Sequence, residues 1–426
     1  MKLNKAKKSL RVLREEGAAS LFAKATRKAK MLFDKEFRAH FDVNSMTAPG
    51  YYDFSYKDLD ANRILLDRDA QAKARNIHVV NWFIPHFTHP MGGMNTIFRL
   101  ARFLRGQGVR NNFIIYSPVN SWEKKEVLFA FKKYLPDLLA GENIFYSFGA
   151  MNEVPDCDAA IATRWDSAYT VLKFNGTKSK FYFIQDFEPL FYKAGYNYAL
   201  AEATYRFGFS GIINSFGLYE VYRQYGSPAN YFNPAVDGTL YYPAIQNNKD
   251  HKRPIRIFFY GRPGADRNAF PLGIEALKLV KKQYDDAVEI LSAGQDWDES
   301  KYGVKGIIKN IGLIKSLKEV AELYRNTDIG LAFVFTRHPS YQPLEFMASG
   351  AATVTNFNKD NLWLLKDGEN ALLSEPTPSC VAEKIGNLID DEVLRKKIVA
   401  NGLKTMAQFD WDKEMQRMWN FMKNSE

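Results

Sequence analysis

One carboxylate in this chain sits where packing alone gives it little purpose. The stretch "HPSYQPLEFMASG", residues 338–350, places Glu345 among apolar and small residues with no Lys or Arg beside it. A charge in such surroundings needs hydrogen-bond donors to offset its lost hydration. A helix dipole favouring an acid in its first turns would produce the same pattern. A second candidate is "FFYGRPGADRNAF", residues 258–270. An apolar strand ends there at Tyr260, Gly261 permits a sharp turn, and Arg262 and Arg267 precede a helix expected to begin near Asn268. Two permanent positive charges beside a helix N-terminus suit a diphosphate, although two solvated arginines on a surface loop would read the same way.

Three further stretches carry polar groups at strand ends. In "FYFIQDFEPLFY", residues 181–192, Asp186 and Glu188 follow a strand and are flanked by Phe187, Phe191 and Tyr192. Carboxylates that accept hydroxyl protons beside aromatic faces are the chemistry of sugar recognition, while capping of the next helix is the structural reading of Asp186. In "HPMGGMNTIFRL", residues 89–100, Gly92 and Gly93 stand between a strand and a helix, so backbone N–H groups can approach an anion without Cβ obstruction. In "IATRWDSAYTV", residues 161–171, Asp166 and Arg164 suit either an acceptor site or a helix start.

The elements that must position these groups read as alternating strands and helices. Strands are expected at 77–84, 112–117, 158–163, 180–186 and 211–214, and then, after the pattern-poor "NNKDHKRP" (247–254), at 255–261, 288–294, 327–335 and 351–356. Between the first two, Ile97, Leu100, Ala101 and Leu104 form one apolar helical stripe. The alternation predicts an α/β protein of two doubly wound, Rossmann-like domains facing a cleft, with ligands bound beyond the carboxyl ends of the strands. The expected divisions are a basic arm over 1–40, a first domain over 41–246, a second over 247–405, and a last helical segment, 406–426, packing back on the first domain.

A chain of 426 residues exceeds what one core usually serves, which supports two domains. The charge of +10 is concentrated: residues 1–40 hold 12 Lys or Arg against 4 Asp or Glu, or +8. The rest is nearly neutral, which argues against a nucleic-acid-binding face on the folded domains. In the arm, Leu21, Ala25, Ala29 and Leu32 recur at helical spacing beside Lys24, Arg27, Lys28 and Lys30. Such a helix can lie on an anionic membrane surface or pack on its own protein. No apolar run is long enough to span a bilayer, so the expected location is the cytoplasm, with the arm able to reach the inner face of the plasma membrane. Cys157 and Cys380 are too far apart in sequence for a finger or redox motif, and the six histidines form no H-E-x-x-H. No metal and no cofactor are expected. The Asp-x-Asp motif occurs five times, too often to be informative.

Taken in order, these pieces resemble the family 4 glycosyltransferases, which have the two-domain GT-B fold. In that family a "GR...K" loop grips the donor diphosphate, and a glutamate before "A-M-A-x-G-x-P-V" binds the nucleotide ribose hydroxyls. Arg262 stands for the arginine, Arg267 falls where the lysine would be, and Glu345 precedes "FMASGAATV"; "IGLIKSLKEVAELYRNTDIGLAF" (311–333) is also similar. The resemblance implies a nucleotide diphosphate sugar as donor and a glycan or lipid-linked glycan as acceptor. It also implies transfer with retention, donor contacts that include Tyr341, and acceptor or reaction-centre duty for Asp186 and Glu188. A second family glutamate is replaced by Arg337. The forms "HPSYQPLE", "GGMNTIFRLARFL", "FIQDFEPLFY" and "YGRPGADRNAF" resemble bacterial rhamnosyltransferases of the WsaF type, which implies dTDP-L-rhamnose. Two other readings are a metal-dependent GT-A transferase and a non-catalytic, membrane-associated sugar-nucleotide or polysaccharide binder.

Overall fold

The computed structural model describes residues 52–424 except 72–73, 90–91, 117–120, 142, 148–152, 245–252 and 315. The basic arm over 1–40 therefore lies outside the described residues. The first sheet-forming series runs α1 (Tyr56–Gln71), β1 (Val79–Ile84), α2 (Gly93–Gly106), β2 (Arg110–Ile115), α3 (Ser121–Tyr134), β3 (Ile144–Tyr146), β4 (Cys157–Ala162), α4 (Trp165–Lys173) and β5 (Thr177–Ile184). It continues with α5 (Tyr196–Ala203), β6 (Ser210–Asn214), α6 (Phe216–Tyr222) and β7 (Ala229–Phe232). The seven strands lie in the order β3-β2-β1-β4-β5-β6-β7.

The second series comprises β8 (Ile255–Gly261), α7 (Phe270–Tyr284), β9 (Val288–Gly294), β10 (Lys309–Asn310), α8 (Leu317–Arg325), β11 (Ile329–Leu331), α9 (Gln342–Ala348), β12 (Ala352–Asn356) and β13 (Leu372–Ser374). Helices α10 (Pro378–Asp390), α11 (Glu392–Met406) and α12 (Trp411–Lys423) close the chain. Its six strands follow the order β10-β9-β8-β11-β12-β13 and pair in parallel. Two doubly wound parallel sheets are what the alternating pattern predicts. The short strands β3, β7, β10 and β13 were not expected; with two to four residues each they are too brief for a periodic signal.

Chain contacts divide the molecule along a line that differs from the division between sheets. Among the described residues, those up to Tyr182, with Tyr192–Phe209, form one compact unit; Phe183–Phe191 and Ser210–Asn424 form the other. In the first unit, α2, β2 and α3 interlock through Phe98, Phe113 and Phe131, with ring centroids 4.9–5.8 Å apart. Its buried Lys180 donates from Nζ to the carbonyl of Leu172 near the end of α4, and burial draws its pKa down to about 8.

In the second unit the sheet is buried on both faces. Ile257 and Phe259 of β8 enter one core cluster with Ile274, Leu277 and Val354, whereas Phe258, pointing the opposite way, enters another with Tyr241, Tyr324, Leu344 and Phe346. Three contacts explain why β6, α6 and β7 cluster with this unit. A Cβ on Gly217 of α6 would stand 2.3 Å from the carbonyl oxygen of Asp360. On β7's side, Glu414 of α12 accepts from the backbone and side-chain nitrogens of Asn233 (2.8 and 3.3 Å), and Trp411 packs near Phe232. Among the described residues no helix is long and apolar enough to cross a membrane.

Helix α9, which carries Glu345, is seated on the sheet through Phe346, and a Cβ on Gly330 of β11 would stand 2.4 Å from that ring. Gly330→Ala is therefore expected to cost about 1–3 kcal/mol through overpacking. The measurement is the midpoint of urea unfolding, and an unchanged midpoint would contradict this seating.

Candidate active site

Asp186, Arg262, Arg267, Tyr341 and Glu345 all belong to the second unit; Asp186 and Arg262 closely follow strand ends, Arg267 lies in the loop before α7, and Tyr341 and Glu345 stand at the start of α9. Strand β8 ends at Gly261, where a Cβ would lie 2.3 Å from the Ser292 Oγ of β9, so glycine lets the two strand ends run side by side. Arg262 follows, its guanidinium 5.9 Å from the Tyr260 ring centroid and 3.5 Å from its hydroxyl. The helix expected near Asn268 begins later. Residues Asp266–Asn268 form a 3-10 turn, Ala269 takes a left-handed conformation (φ 42°), and α7 starts at Phe270. Arg267 thus projects from the tight turn, with its guanidinium 4.7 Å from the Phe191 ring centroid.

The strand expected over 327–335 is shorter than predicted: only Ile329–Leu331 pair as strand. Beyond it, side-chain amides replace the ladder. Asn356 accepts from the Val334 N–H (2.7 Å) and donates to its carbonyl (3.0 Å), Asn358 donates to Val334 and Thr336, and Asn268 donates to Phe333. This satisfies the backbone without sheet pairing and presents Thr336, Arg337 and His338 beside the 183–191 segment.

Asp186 receives a hydrogen bond from Thr336, one from the His338 backbone and one from the Phe187 N–H (2.8 Å), with the Arg267 charge nearby. Burial outweighs these and raises its pKa to about 6. Asp186 is thus tied chiefly to the loop after β11. Glu188 opens the 3-10 turn Glu188–Phe191. Arg337, at the position of the family's second glutamate, donates from Nη1 to both carboxylate oxygens of Asp360 (3.1 and 3.0 Å) and lies over Phe187.

His338 was considered in the sequence only as a metal ligand. Its Nδ1 accepts from the Ser340 N–H at 2.9 Å, and burial draws its pKa down to about 3, so the ring is neutral with its proton on Nε2. That nitrogen is buried without a hydrogen-bond partner in the structure. Ser340 holds a positive φ of 61°, a strained state for a serine. Gln185 Oε1, Asn214 Oδ1, Asn268 Oδ1 and Ser292 Oγ are buried and unpartnered in the same way. Gln185 and Asn214 stand at strand ends of this unit, Ser292 near the end of β9 and Asn268 in the turn before α7; buried polar atoms of this kind are normally satisfied by a partner.

Tyr341 precedes α9 and accepts a hydrogen bond from Asn214 Nδ2 at 3.0 Å. One turn into the helix, Glu345 is partly buried, and burial raises its pKa to about 7 against a hydrogen bond from the Tyr241 hydroxyl. Tyr241 gave no signal in the sequence, where it is one tyrosine in "TLYYPA".

Gly92, Gly93 and Asp166 belong to the first unit. Gly92 caps α2 with φ 52° and ψ −126°, a conformation that glycine alone adopts readily, and space around its missing Cβ is open. Asp166, in the first turn of α4, accepts from the Tyr116 hydroxyl (2.7 Å) and the Ser167 N–H (3.0 Å) and pairs with Arg164 (3.2 Å). Among the described residues no three His, Cys, Asp or Glu side chains gather as a metal site would require.

Residues 255–386 match the family described as "WsaF, C-terminal domain". That segment carries Arg262, Arg267, His338, Tyr341 and Glu345. The fold is of the GT-B type. Over 357 residues it is 42% identical to the O-antigen biosynthesis protein RfbC of Myxococcus xanthus, covering 83% of this chain and 28% of that protein. The chain thus spans little more than a quarter of the length of that curated relative. The Anabaena HepE structure, in complex with UDP and glucose, aligns with 14% identity and a TM-score of 0.61 over 82% of this chain and 99% of HepE. WaaG, a glycosyltransferase involved in lipopolysaccharide biosynthesis, aligns with 16% identity and a TM-score of 0.53 over 81% and 99%. Two parallel sheets of the GT-B type exclude the GT-A alternative.

Proposed function

We propose that this GT4-like chain transfers a sugar from a nucleotide diphosphate donor to a glycan acceptor in polysaccharide or O-antigen synthesis. The observation that carries the reading is the grouping in one unit of Arg267, Asp186, Thr336 and His338, continuous through Tyr341 with Glu345. The likeness to an O-antigen biosynthesis protein supports it. Arg262 and Arg267 supply fixed positive charge for the diphosphate as it departs. The Glu345 carboxylate accepts from the two ribose hydroxyls. Asp186 orients the attacking hydroxyl, and Glu188 lies beside it in the chain. Tyr341, Gly92, Gly93 and Asp166 complete the proposed substrate contacts. Positioning and charge stabilisation drive the reaction, and the leaving phosphate takes the acceptor's proton in a retaining, front-face transfer.

The proposed donor is dTDP-L-rhamnose, on the strength of the match to the WsaF C-terminal domain family. The proposed acceptor is a cell-surface or lipid-linked glycan, reached at the inner face of the membrane through residues 1–40. A thermal-shift panel of dTDP-, UDP- and GDP-sugars tests the donor. Binding to the folded state stabilises it by about 2.7 kcal/mol at a hundredfold excess over Kd, so the cognate nucleotide should give the largest rise in Tm. No rise with any member of the panel would refute the enzyme reading. A binder without catalysis would show the rise but release no nucleotide diphosphate with any acceptor.

A further inference from the structure

The Tyr241 hydroxyl donates a hydrogen bond to the Glu345 side chain. Tyr241 is held from several directions. Its ring is 6% exposed and packs within the core cluster that contains Phe258, Leu344 and Phe346. It stacks on Tyr324 of α8 at 6.1 Å with an interplanar angle of 28°. Its N–H donates to the Asp237 carbonyl at 2.9 Å. The residues on either side are fastened to the end of α8 by one arginine. Arg325 donates to the carbonyls of Leu240 (2.9 Å) and Tyr242 (3.3 Å) and lies over the Tyr242 ring at 3.9 Å. The ring is thereby held with its hydroxyl in hydrogen-bond reach of the Glu345 carboxyl.

We propose that Tyr241 is a positioning residue for the nucleotide site, holding the Glu345 side chain in place and keeping it an ionised acceptor for the ribose hydroxyls. The proposal rests on the reading of Glu345 as the ribose clamp. A carboxylate accepting from a phenol favours its charged form, so the pair opposes the effect of burial. The titratable groups that face Glu345 are Tyr241 from the 237–243 segment, with Asp237 behind it, and Tyr324 from α8. Both tyrosines are themselves held protonated by burial first and by Glu345 second. No charged side chain on α11 or β12 contributes to the Glu345 carboxyl, which leaves the Tyr241 hydroxyl as its main support.

The test is nucleoside diphosphate binding by titration calorimetry from pH 5.5 to 9, using dTDP, UDP and GDP with the full chain. Tyr241→Phe keeps the ring and removes only the donor. The ratio of its Kd to that of the unmodified protein should be about tenfold at and below pH 7, where the loss of one charge-assisted hydrogen bond and a higher Glu345 pKa act together. It should fall by pH 9, where both carboxyls are ionised and only the loss of positioning is left. The ligand's own ionisation is common to both proteins and cancels in the ratio. A ratio that stays flat with pH, at any height, would overturn the proposal, because a packing role has no reason to follow a titration. If Tyr241→Phe fails to fold, 3-fluorotyrosine at position 241 serves instead. As a stronger donor it should move the binding midpoint to lower pH, and an unmoved midpoint would count against the proposal. Glu345→Gln separates the two readings. If it leaves affinity unchanged, the clamp itself fails; if it weakens binding while Tyr241→Phe does nothing, only the role of Tyr241 fails.

Discussion

Arg262→Ala is expected to lower turnover by about a hundredfold or more, the usual cost of removing one preorganised group that stabilises developing charge. The guanidinium leans on Tyr260 at the mouth of β8, so its loss opens no cavity in the core, and the fold should be retained. The measurement is release of nucleotide diphosphate under saturating donor, with circular dichroism as the control for folding. Full activity in this variant would remove the diphosphate assignment. Arg267→Ala should show a similar loss together with a second effect. Arg267 helps to lower the pKa of Asp186 against the desolvation that raises it, so the acidic limb of the pH–rate profile should move upward in that variant and stay in place for Arg262→Ala.

Asp186→Asn is expected to reduce turnover by about two orders of magnitude, in the range of a lost general acid–base or orienting carboxylate. With its pKa raised to about 6, Asp186 becomes the acceptor form only as the pH passes through that value. Wild-type activity should rise through pH 6, and the variant should lack that limb. Stability should run the other way. A carboxyl whose folded pKa exceeds its unfolded value of about 3.9 contributes most below that value. The contribution is lost as pH rises through the folded pKa. The difference in Tm between variant and wild type should therefore be more favourable to the variant at pH 8 than at pH 4. A loss of activity that merely tracked a loss of Tm would place Asp186 in the scaffold.

The sequence alone determined the two doubly wound sheets, because strands buried on both faces must be apolar runs such as "IRIFFYG" and because helices between them show a 3.6-residue stripe. It also marked Arg262, Arg267, Asp186 and Glu345 by type and by position at strand ends. Tertiary structure decided what surrounds them. The strand expected to Phe335 stops at Leu331 because Asn268, Asn356 and Asn358, distant in sequence, take over its backbone groups. Asp186 falls in the same compact unit as Arg267 and His338. Tyr241 meets Glu345 across more than a hundred residues of chain. Periodicity reports which face of an element is buried; it carries no information about which side chain from elsewhere fills the space opposite. The environment that sets a carboxyl's charge is therefore fixed only when the chain folds.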